Sequence, residues 1–254
     1  MFKPRMNIAV SLDSNYARYT YVMLTSLFEN QDNEWDIHIF LLQSGLKFEE
    51  KRFLEDLIGS RGGILHWMNI NPSLFSAECL AVTEWSMEIY YRLMLQDILP
   101  IEVDRILYLD VDVIINKSLK ELYTTDFEGN LLCACSEPFA GLGFFDVHNQ
   151  FFKQQLKEGF IYFNSDVLLL NIKELRKKYH LETYLNIAKA LPYKLVASDQ
   201  DLLNFVHWKE VKILDSSKYN LFARFAYNCG VSYQEAKDSA TIIHFNRSKG
   251  KCHM

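Results

Sequence analysis

The sequence RILYLDVD covers Arg105 to Asp112 and places two carboxylates one residue apart directly after an apolar run. A run such as Ile106 to Leu109 is typical of a strand buried on both faces of a parallel sheet. Asp110 and Asp112 then lie at the carboxyl end of that strand. In open α/β sheets ligands bind at this end, so the position favours a functional role for the pair.

Apolar strands and amphipathic helices alternate along the rest of the chain. This alternation predicts an α/β fold with a mostly parallel central sheet and helices on both faces. The sparse Gly and Pro favour one continuous domain over residues 1–254. We interpret the polar and aromatic loop from Pro138 to Gly159 as a lid or an acceptor platform. Besides Arg105–Leu109, the predicted strands are Met6–Leu12, Ile37–Leu42, Ile64–Met68, Leu131–Cys135, Val167–Leu170 and Thr241–His244, and the predicted helices are Tyr16–Glu29, Phe48–Ile58, Glu84–Leu99, Ile172–Leu191 and Asp201–His207.

The composition narrows the class of protein. A chain of 254 residues that is 49% hydrophobic can bury one sizeable core, and its net charge of −5 argues against a non-specific nucleic-acid binder. The five cysteines are scattered, which favours reduced thiols over a disulfide framework or a structural zinc site. No apolar run approaches the roughly 20 residues that span a bilayer, so we expect a cytoplasmic protein. Loose attachment to a membrane surface through a short basic and aromatic tail stays open.

The carboxylate pair has the chemistry of a cation site. Two carboxylates one residue apart face opposite sides of an extended strand, but both can face one cation where the chain turns at the strand end. Oxygen ligands suit Mg²⁺ or Mn²⁺, and these ions usually keep coordination positions for substrate phosphates. A diphosphate would complete such a site. By itself, the pattern fits equally well a solvated loop whose carboxylates cap nearby backbone groups.

Several motifs together carry a resemblance to a known family. They are IAVSLDSNY (Ile8–Tyr16), IYYRL (Ile89–Leu93), RILYLDVDVII (Arg105–Ile115), YFNSDVLLLNI (Tyr162–Ile172), SDQDLLN (Ser198–Asn204) and IIHF (Ile242–Phe245). In this order, the chain resembles the family 8 retaining glycosyltransferases from about Met6 to His244. The resemblance implies the GT-A fold, a single-domain Rossmann-like nucleotide-binding fold.

The resemblance also implies a metal site and a donor. Mn²⁺ (or Mg²⁺) is expected on Asp110, Asp112 and His244, with Val111 also beside the donor, which is UDP-glucose or UDP-galactose. Without the resemblance, His244 would be interpreted as a core histidine at a strand end, because most isolated histidines are not metal ligands.

The resemblance places the uridine pocket after the first strand, at Ser11, Asp13, Asn15 and Tyr16. The Tyr16 ring could stack on uracil, which is an ordinary way to hold a base. Alternatively, Asp13 is only a helix cap and Tyr16 only a core residue.

The transferred hexose has its own implied contacts. Arg92 matches the family arginine that reaches the donor sugar and phosphates, and its planar donor array fits that role. Asn164, Ser165, Asp199 and Gln200 match positions that bind the hexose. Asp199 and Gln200 are the candidate catalytic residues, with Gln200 expected near the anomeric carbon. The alternatives are a surface ion pair for Arg92 and a helix cap for Asp199.

Two segments depart from the family pattern. Asp166 replaces a glycine that usually permits close approach of the sugar, and its side chain could bind a hydroxyl, turn away into a cap or obstruct the pocket. After His244, the family's Gly, Pro and Trp are missing. As a result, either Lys249 or Lys251 is expected to contact the phosphates.

The sequence therefore predicts a metal-dependent hexosyltransferase that acts with retention on a saccharide or glycolipid acceptor, in the synthesis of cell-surface polysaccharide, lipopolysaccharide or glycoprotein glycans. Two alternatives remain. One is a nucleotide-sugar-binding protein whose catalytic site has decayed, motivated by Asp166 and the altered tail. The other is a phosphotransferase of the haloacid dehalogenase type, but that class needs its Asp-x-Asp motif early in the chain and a Gly-Thr after it.

Overall fold

A computed structural model describes residues 3–31, 34–75, 86–138, 159–191, 195 and 197–245 of the chain. Three sequence-based predictions fall wholly or mostly outside these residues. They are the phosphate contact of Lys249 or Lys251, the lid or acceptor platform at 138–159, and the first two residues of the helix predicted from Glu84.

A seven-stranded sheet forms the centre of the protein, in the order β3-β2-β1-β4-β7-β6-β8. Every neighbouring pair in it is parallel except those of β7, which runs against both β4 and β6. A smaller sheet has the order β5-β10-β9. The strands are β1 (Arg5–Ser11), β2 (Asp36–Gln43), β3 (Ile64–Asn69), β4 (Arg105–Leu109), β5 (Val113–Ile115), β6 (Leu132–Ser136), β7 (Phe163–Asn171), β8 (Val211–Leu214), β9 (Leu221–Phe222) and β10 (Ile242–His244).

Helices cover both faces of the large sheet. The α-helices are α1 (Ala17–Glu29), α2 (Phe48–Ser60), α3 (Leu95–Ile98), α4 (Lys120–Tyr123), α5 (Ile172–Lys178), α6 (Leu181–Ala190), α7 (Ser198–His207), α8 (Ser216–Tyr219), α9 (Ala223–Asn228) and α10 (Tyr233–Ser239). Two segments, Pro72–Leu74 and Met87–Met94, are 3-10 helices. Among the described residues, no helix is both long enough and apolar enough to cross a membrane.

The strand side chains alternate between two hydrophobic cores. Ile8 of β1 and Leu107 of β4 pack into the core shared with α1 and α2. Ala9 and Ile106 pack into the core shared with the 3-10 helix Met87–Met94, α5 and α6. A strand buried on both faces has to be apolar at every position, which is why these strands read as continuous hydrophobic runs. The predicted fold class is confirmed.

Two helix predictions were wrong, and the strand predictions were incomplete. Met87 to Met94 is a 3-10 helix instead of the first part of an α-helix. The helix predicted over Ile172–Leu191 is two helices, because Tyr179 is extended and Asp97 accepts a hydrogen bond from the first amide of the second helix, Leu181 N (2.7 Å). The short strands β5, β8 and β9 were not predicted, and β7 begins four residues before the expected start.

The topology collects polar segments at one edge of the sheet. Because β7 is antiparallel to β4, the beginning of β7 lies beside the carboxyl end of β4, with Leu109 opposite Val167. In the smaller sheet β10 pairs antiparallel with β5, so that His244 lies opposite Val113. The acidic turn after β4, the start of β7 and the end of β10 therefore meet.

Candidate active site

Arg92 lies at the centre of the polar cluster at this edge. Its side chain is only 2% exposed and forms ion pairs from Nη2 to Asp110 Oδ1 (2.9 Å) and from Nε to Asp199 Oδ2 (3.1 Å). Asp166 Oδ1 lies 3.8 Å from Nη1, and the Ser165 carbonyl accepts a hydrogen bond from the same nitrogen. A surface ion pair, the alternative for Arg92, is therefore wrong. The buried guanidinium therefore contacts residues at the carboxyl end of β4, at the start of β7 and in the first turn of α7.

The carboxylates around Arg92 are held in an unfavourable environment. Burial raises the pKa of Asp110 to about 6, against the opposing effect of the Arg92 charge. The pKa of Asp199 also rises to about 6, for the same reason. Such raised pKa values show that burial destabilises the two carboxylates by more than Arg92 stabilises them, and perturbed pKa values of this kind are common at functional sites.

A hydrogen-bond network fixes the residues expected to bind the hexose. Gln200 Oε1 accepts from Ser165 N (3.0 Å) and from Asn164 Nδ2 (3.1 Å). Ser165 Oγ donates to Asp199 Oδ2 (3.2 Å). Ser198, which directly precedes Asp199 in the chain, has a φ of +47°, an uncommon backbone conformation for a residue that carries a Cβ. All four predicted hexose-binding residues thus lie in one connected group.

His244 is buried but faces carboxylates. Its Nε2 lies 3.4 Å from Asp112 Oδ1 and 3.5 Å from Asp166 Oδ2. Burial lowers the pKa of His244, but the Asp112 hydrogen bond and the charges of Asp166, Asp112 and Asp110 outweigh that effect and raise it to about 9. An electric field that stabilises an imidazolium would also stabilise a divalent cation at this position.

The imidazole nitrogen of His244 and the carboxylate oxygens beside it are chemically suitable ligands for a divalent cation. Ligand atoms bound at about 2.0–2.2 Å lie at most about 4.4 Å apart, so the distances from His244 Nε2 to Asp112 and Asp166 are compatible with one ion. Among the described residues, however, no group of three or more His, Cys, Asp or Glu side chains is arranged so that it could hold a metal ion as it stands. Asp110 is engaged instead by Arg92 and by the Tyr108 hydroxyl (2.7 Å). A carboxylate has about four lone-pair sites, which lets Asp110 keep these bonds and also bind a cation.

The segment after β1 lies at the same edge of the sheet. Asp13 Oδ1 accepts hydrogen bonds from Asn15 N (2.8 Å) and Tyr16 N (3.1 Å), so its carboxylate stabilises the turn before α1. Tyr16 is half-buried, and its ring centroid lies 5.8 Å from that of Tyr19. Ser11 is buried at the strand end. Asp13 is not the cap of α1, because the N-cap position is Tyr16 and no side chain caps the helix. Since the Asp13 carboxylate remains partly exposed, stabilising this turn is compatible with binding a nucleotide.

Val111 differs from the other expected donor contacts. Its side chain is buried in the core that also contains α1 and α2. Only the backbone of Val111 remains to contact a donor, whereas the flanking Asp110 and Asp112 carry the polar groups.

Two residues of the cluster were missed by sequence reasoning. Asn220 accepts a hydrogen bond at Oδ1 from His244 Nδ1 (3.0 Å) and donates from Nδ2 to Asn164 Oδ1 (2.8 Å). Glu137, which follows β6, accepts from Asn164 Nδ2 (2.9 Å) and lies 3.4 Å from Gln200 Nε2. Only its place after a buried strand could have indicated Glu137, and no local pattern points to Asn220.

Comparison with solved structures shows that this mostly parallel α/β sheet, with an acidic cluster at its strand ends, has the GT-A fold of glycosyltransferases. The galactosyltransferase LgtC in complex with donor and acceptor sugar analogues matches with a TM-score of 0.76 and 25% identity, over 94% of this chain and 87% of that one. An active-site mutant of LgtC matches with a TM-score of 0.78 and 26% identity, over 96% of this chain and 88% of that one.

The chain belongs to glycosyl transferase family 8, whose model matches residues 7–251. The resemblance seen in the sequence is confirmed, and the haloacid dehalogenase alternative is wrong. General stress protein A of Bacillus subtilis is 23% identical over 94% of this chain and 85% of its own length. A lipopolysaccharide 1,2-glucosyltransferase of Escherichia coli is 27% identical over 84% of this chain. A putative glycosyltransferase of Haemophilus influenzae is 27% identical over 83% of this chain. This chain spans 62% of the length of each of these last two relatives.

Proposed function

We propose that the protein is a metal-dependent retaining hexosyltransferase that uses UDP-glucose or UDP-galactose. The observation that carries the proposal is the network around Arg92, which joins the ends of β4, β7 and α7 and lies beside His244 at one edge of a family 8 fold. The relatives named as a glucosyltransferase and a galactosyltransferase support a hexose as the transferred group.

Asp110, Asp112 and His244 would hold Mn²⁺ or Mg²⁺. When bound, the ion would stabilise the negative charge that grows on the diphosphate as the bond to the sugar breaks. The protein prepares this position by orienting His244, because a hydrogen bond from Nδ1 to Asn220 leaves Nε2 to face the carboxylates.

The network beside Arg92 would bind and orient the hexose. Gln200 is fixed by Ser165 N and Asn164, so its remaining amide group has a defined direction. Asp199 is held by Arg92 and Ser165. Fixed polar groups of this kind can favour the positive charge of the ring in the transition state without further reorganisation. Retention through front-face attack or through a short-lived covalent intermediate remains open.

The other partners are proposed on the same basis. Ser11, Asp13, Asn15 and Tyr16 would bind the uridine, and the backbone of Val111 would lie beside the donor. Lys249 or Lys251, outside the described residues, would contact the phosphates. The acceptor would be a saccharide or a glycolipid. The single domain, the cytoplasmic location and the attachment to a membrane surface stay predictions.

The test is a donor assay. The protein is incubated with Mn²⁺ and either UDP-glucose or UDP-galactose, and released UDP is measured while calorimetry follows donor binding. Slow, Mn²⁺-dependent release from one donor is expected of a transferase without acceptor. Tight binding without release would support a nucleotide-sugar-binding protein with a decayed site. Absence of any Mn²⁺-dependent donor binding would rule out both functions.

Asn220→Leu is expected to weaken Mn²⁺ binding by about 10–100-fold, the usual cost of removing a hydrogen bond that orients a metal ligand. The leucine has nearly the same size but cannot accept from His244 Nδ1. Asn220→Asp keeps an acceptor for that proton and should retain most of the affinity. Asn186→Leu, on an exposed position of α6, is the control. Equal Mn²⁺ affinity in the Leu and Asp variants would contradict the orienting role.

A further inference from the structure

The Asp166 side chain does not turn away from the cluster, nor does it cap a helix. Its Oδ2 accepts a hydrogen bond from Asn164 Nδ2 (2.9 Å) and lies 3.5 Å from His244 Nε2. Its Oδ1 lies 3.8 Å from Arg92 Nη1. Asp166 therefore connects the two halves of the cluster, one around Arg92 and the other around His244.

Strand register places Asp166 directly opposite Asp110. Leu109 pairs with Val167 across the antiparallel strands, and Asp110 N donates to Asp166 O (2.8 Å) at the next position. Like charges opposite each other destabilise an antiparallel pair. Arg92 contacts both carboxylates but carries only one positive charge, and it also pairs with Asp199. This arrangement needs additional positive charge.

The position of His244 indicates where the additional positive charge would lie. The imidazole is 1% exposed, its Nδ1 is taken by Asn220, and its Nε2 lies at nearly equal distances from Asp112 (3.4 Å) and Asp166 (3.5 Å). Asp166 is thus placed relative to the imidazole in the same way as Asp112. A carboxylate in that position is a suitable oxygen donor for Mg²⁺ or Mn²⁺.

We propose that Asp166 is a further ligand of the divalent cation, beside Asp112 and His244. The inference rests on the proposed metal-dependent function. Metal affinity in oxygen-rich sites rises with the number of charged ligands. A site with an additional carboxylate depends less on substrate phosphates, so the protein is expected to bind Mn²⁺ before the nucleotide arrives.

The experiment measures Mn²⁺ binding to nucleotide-free protein, by calorimetry and by the electron paramagnetic resonance signal of the unbound ion. Asp166→Asn keeps the shape and removes the charge, whereas Asp166→Gly removes the donor altogether. Both variants are expected to raise the Kd for Mn²⁺ at least about tenfold. Glu182→Gln removes one negative charge at an exposed position of α6 and should leave the Kd unchanged.

The outcomes separate this inference from the proposed function. If both Asp166 variants bind Mn²⁺ as tightly as the wild type while Asp112→Asn binds weakly, the cation site stands and Asp166 is not a ligand. A loss confined to Asp166→Gly would show that the charge of Asp166 does not contribute to the affinity for Mn²⁺, and it would also overturn the inference of a carboxylate ligand. If the wild-type protein binds no Mn²⁺ with or without UDP, the proposed metal centre fails, and the role of Asp166 fails with it.

Discussion

Asp112→Asn is expected to lower Mn²⁺-dependent UDP release by at least about 100-fold, the loss seen when one preorganised electrostatic contact to a transition state is removed. The substitution keeps the size of the side chain but removes its charge beside His244 Nε2. The Asp112 carbonyl still accepts the hydrogen bond from Phe245 N (2.9 Å), so the connection between the two segments persists. Because Asp112 is partly exposed, unfolding free energy should change by less than about 1 kcal/mol.

Asp104→Asn is the matched control for this variant. Asp104 is exposed just before the other end of β4, and it carries the same charge as Asp112. The control should keep wild-type turnover, whereas both variants should unfold at similar urea concentrations. Full turnover in Asp112→Asn would reject the metal role of the carboxylate pair. A large loss of stability in that variant would mean that the residue supports the fold instead.

The sequence predicts the strands on which the site is built, because a strand buried on both faces must be apolar throughout. Ile106 to Leu109 shows this pattern up to the first residue of the acidic turn. The start of β7 does not, because Asn164 and Asp166 are residue types that are depleted in strands. These residues are in the strand because Gln200 and Asp110 satisfy their polar groups, which are partners that no local pattern reveals.

The 3-10 helix at Met87–Met94 shows a second limit of local patterns. Apolar residues spaced three apart lie on one face of both helix types, so the spacing cannot distinguish a 3-10 helix from an α-helix. Strands of two or three residues, such as β5 and β9, are likewise too short to show a period. His244 and Asp112 are brought together by β5 and β10, so the sequence could not predict that contact from periodicity.

The burial of Arg92 could not be expected from composition, since arginine is mostly exposed in proteins. The need for a buried positive charge becomes apparent only in the structure, where Asp110, Asp166 and Asp199 converge from three different segments. The resemblance to the family placed Arg92 near the donor. The structure adds that the same side chain lies among three carboxylates and reduces the repulsion between them.

Arg92→Leu is therefore expected to cost about 3–5 kcal/mol of unfolding free energy at pH 8, the range found when one member of a buried ion pair is removed. Three carboxylates would lose their common cation, and the Ser165 carbonyl would lose a donor. Arg92→Lys keeps the charge but lacks the planar fork, and should lose less. Arg18→Leu, on an exposed position of α1, is the control, and urea unfolding is the measurement.

The cost of Arg92→Leu should depend on pH with a definite sign. The pKa values of Asp110 and Asp199 are already raised to about 6 with Arg92 present, and loss of the guanidinium raises them further. An acid with a raised pKa in the folded state destabilises that state at pH values above its unfolded pKa, and the penalty reaches its full size above the folded pKa. The difference between variant and wild type should consequently shrink as the pH falls from 8 to 5. A difference that grows over this range, or one below about 1 kcal/mol at pH 8, would show that Arg92 does not hold these carboxylates together.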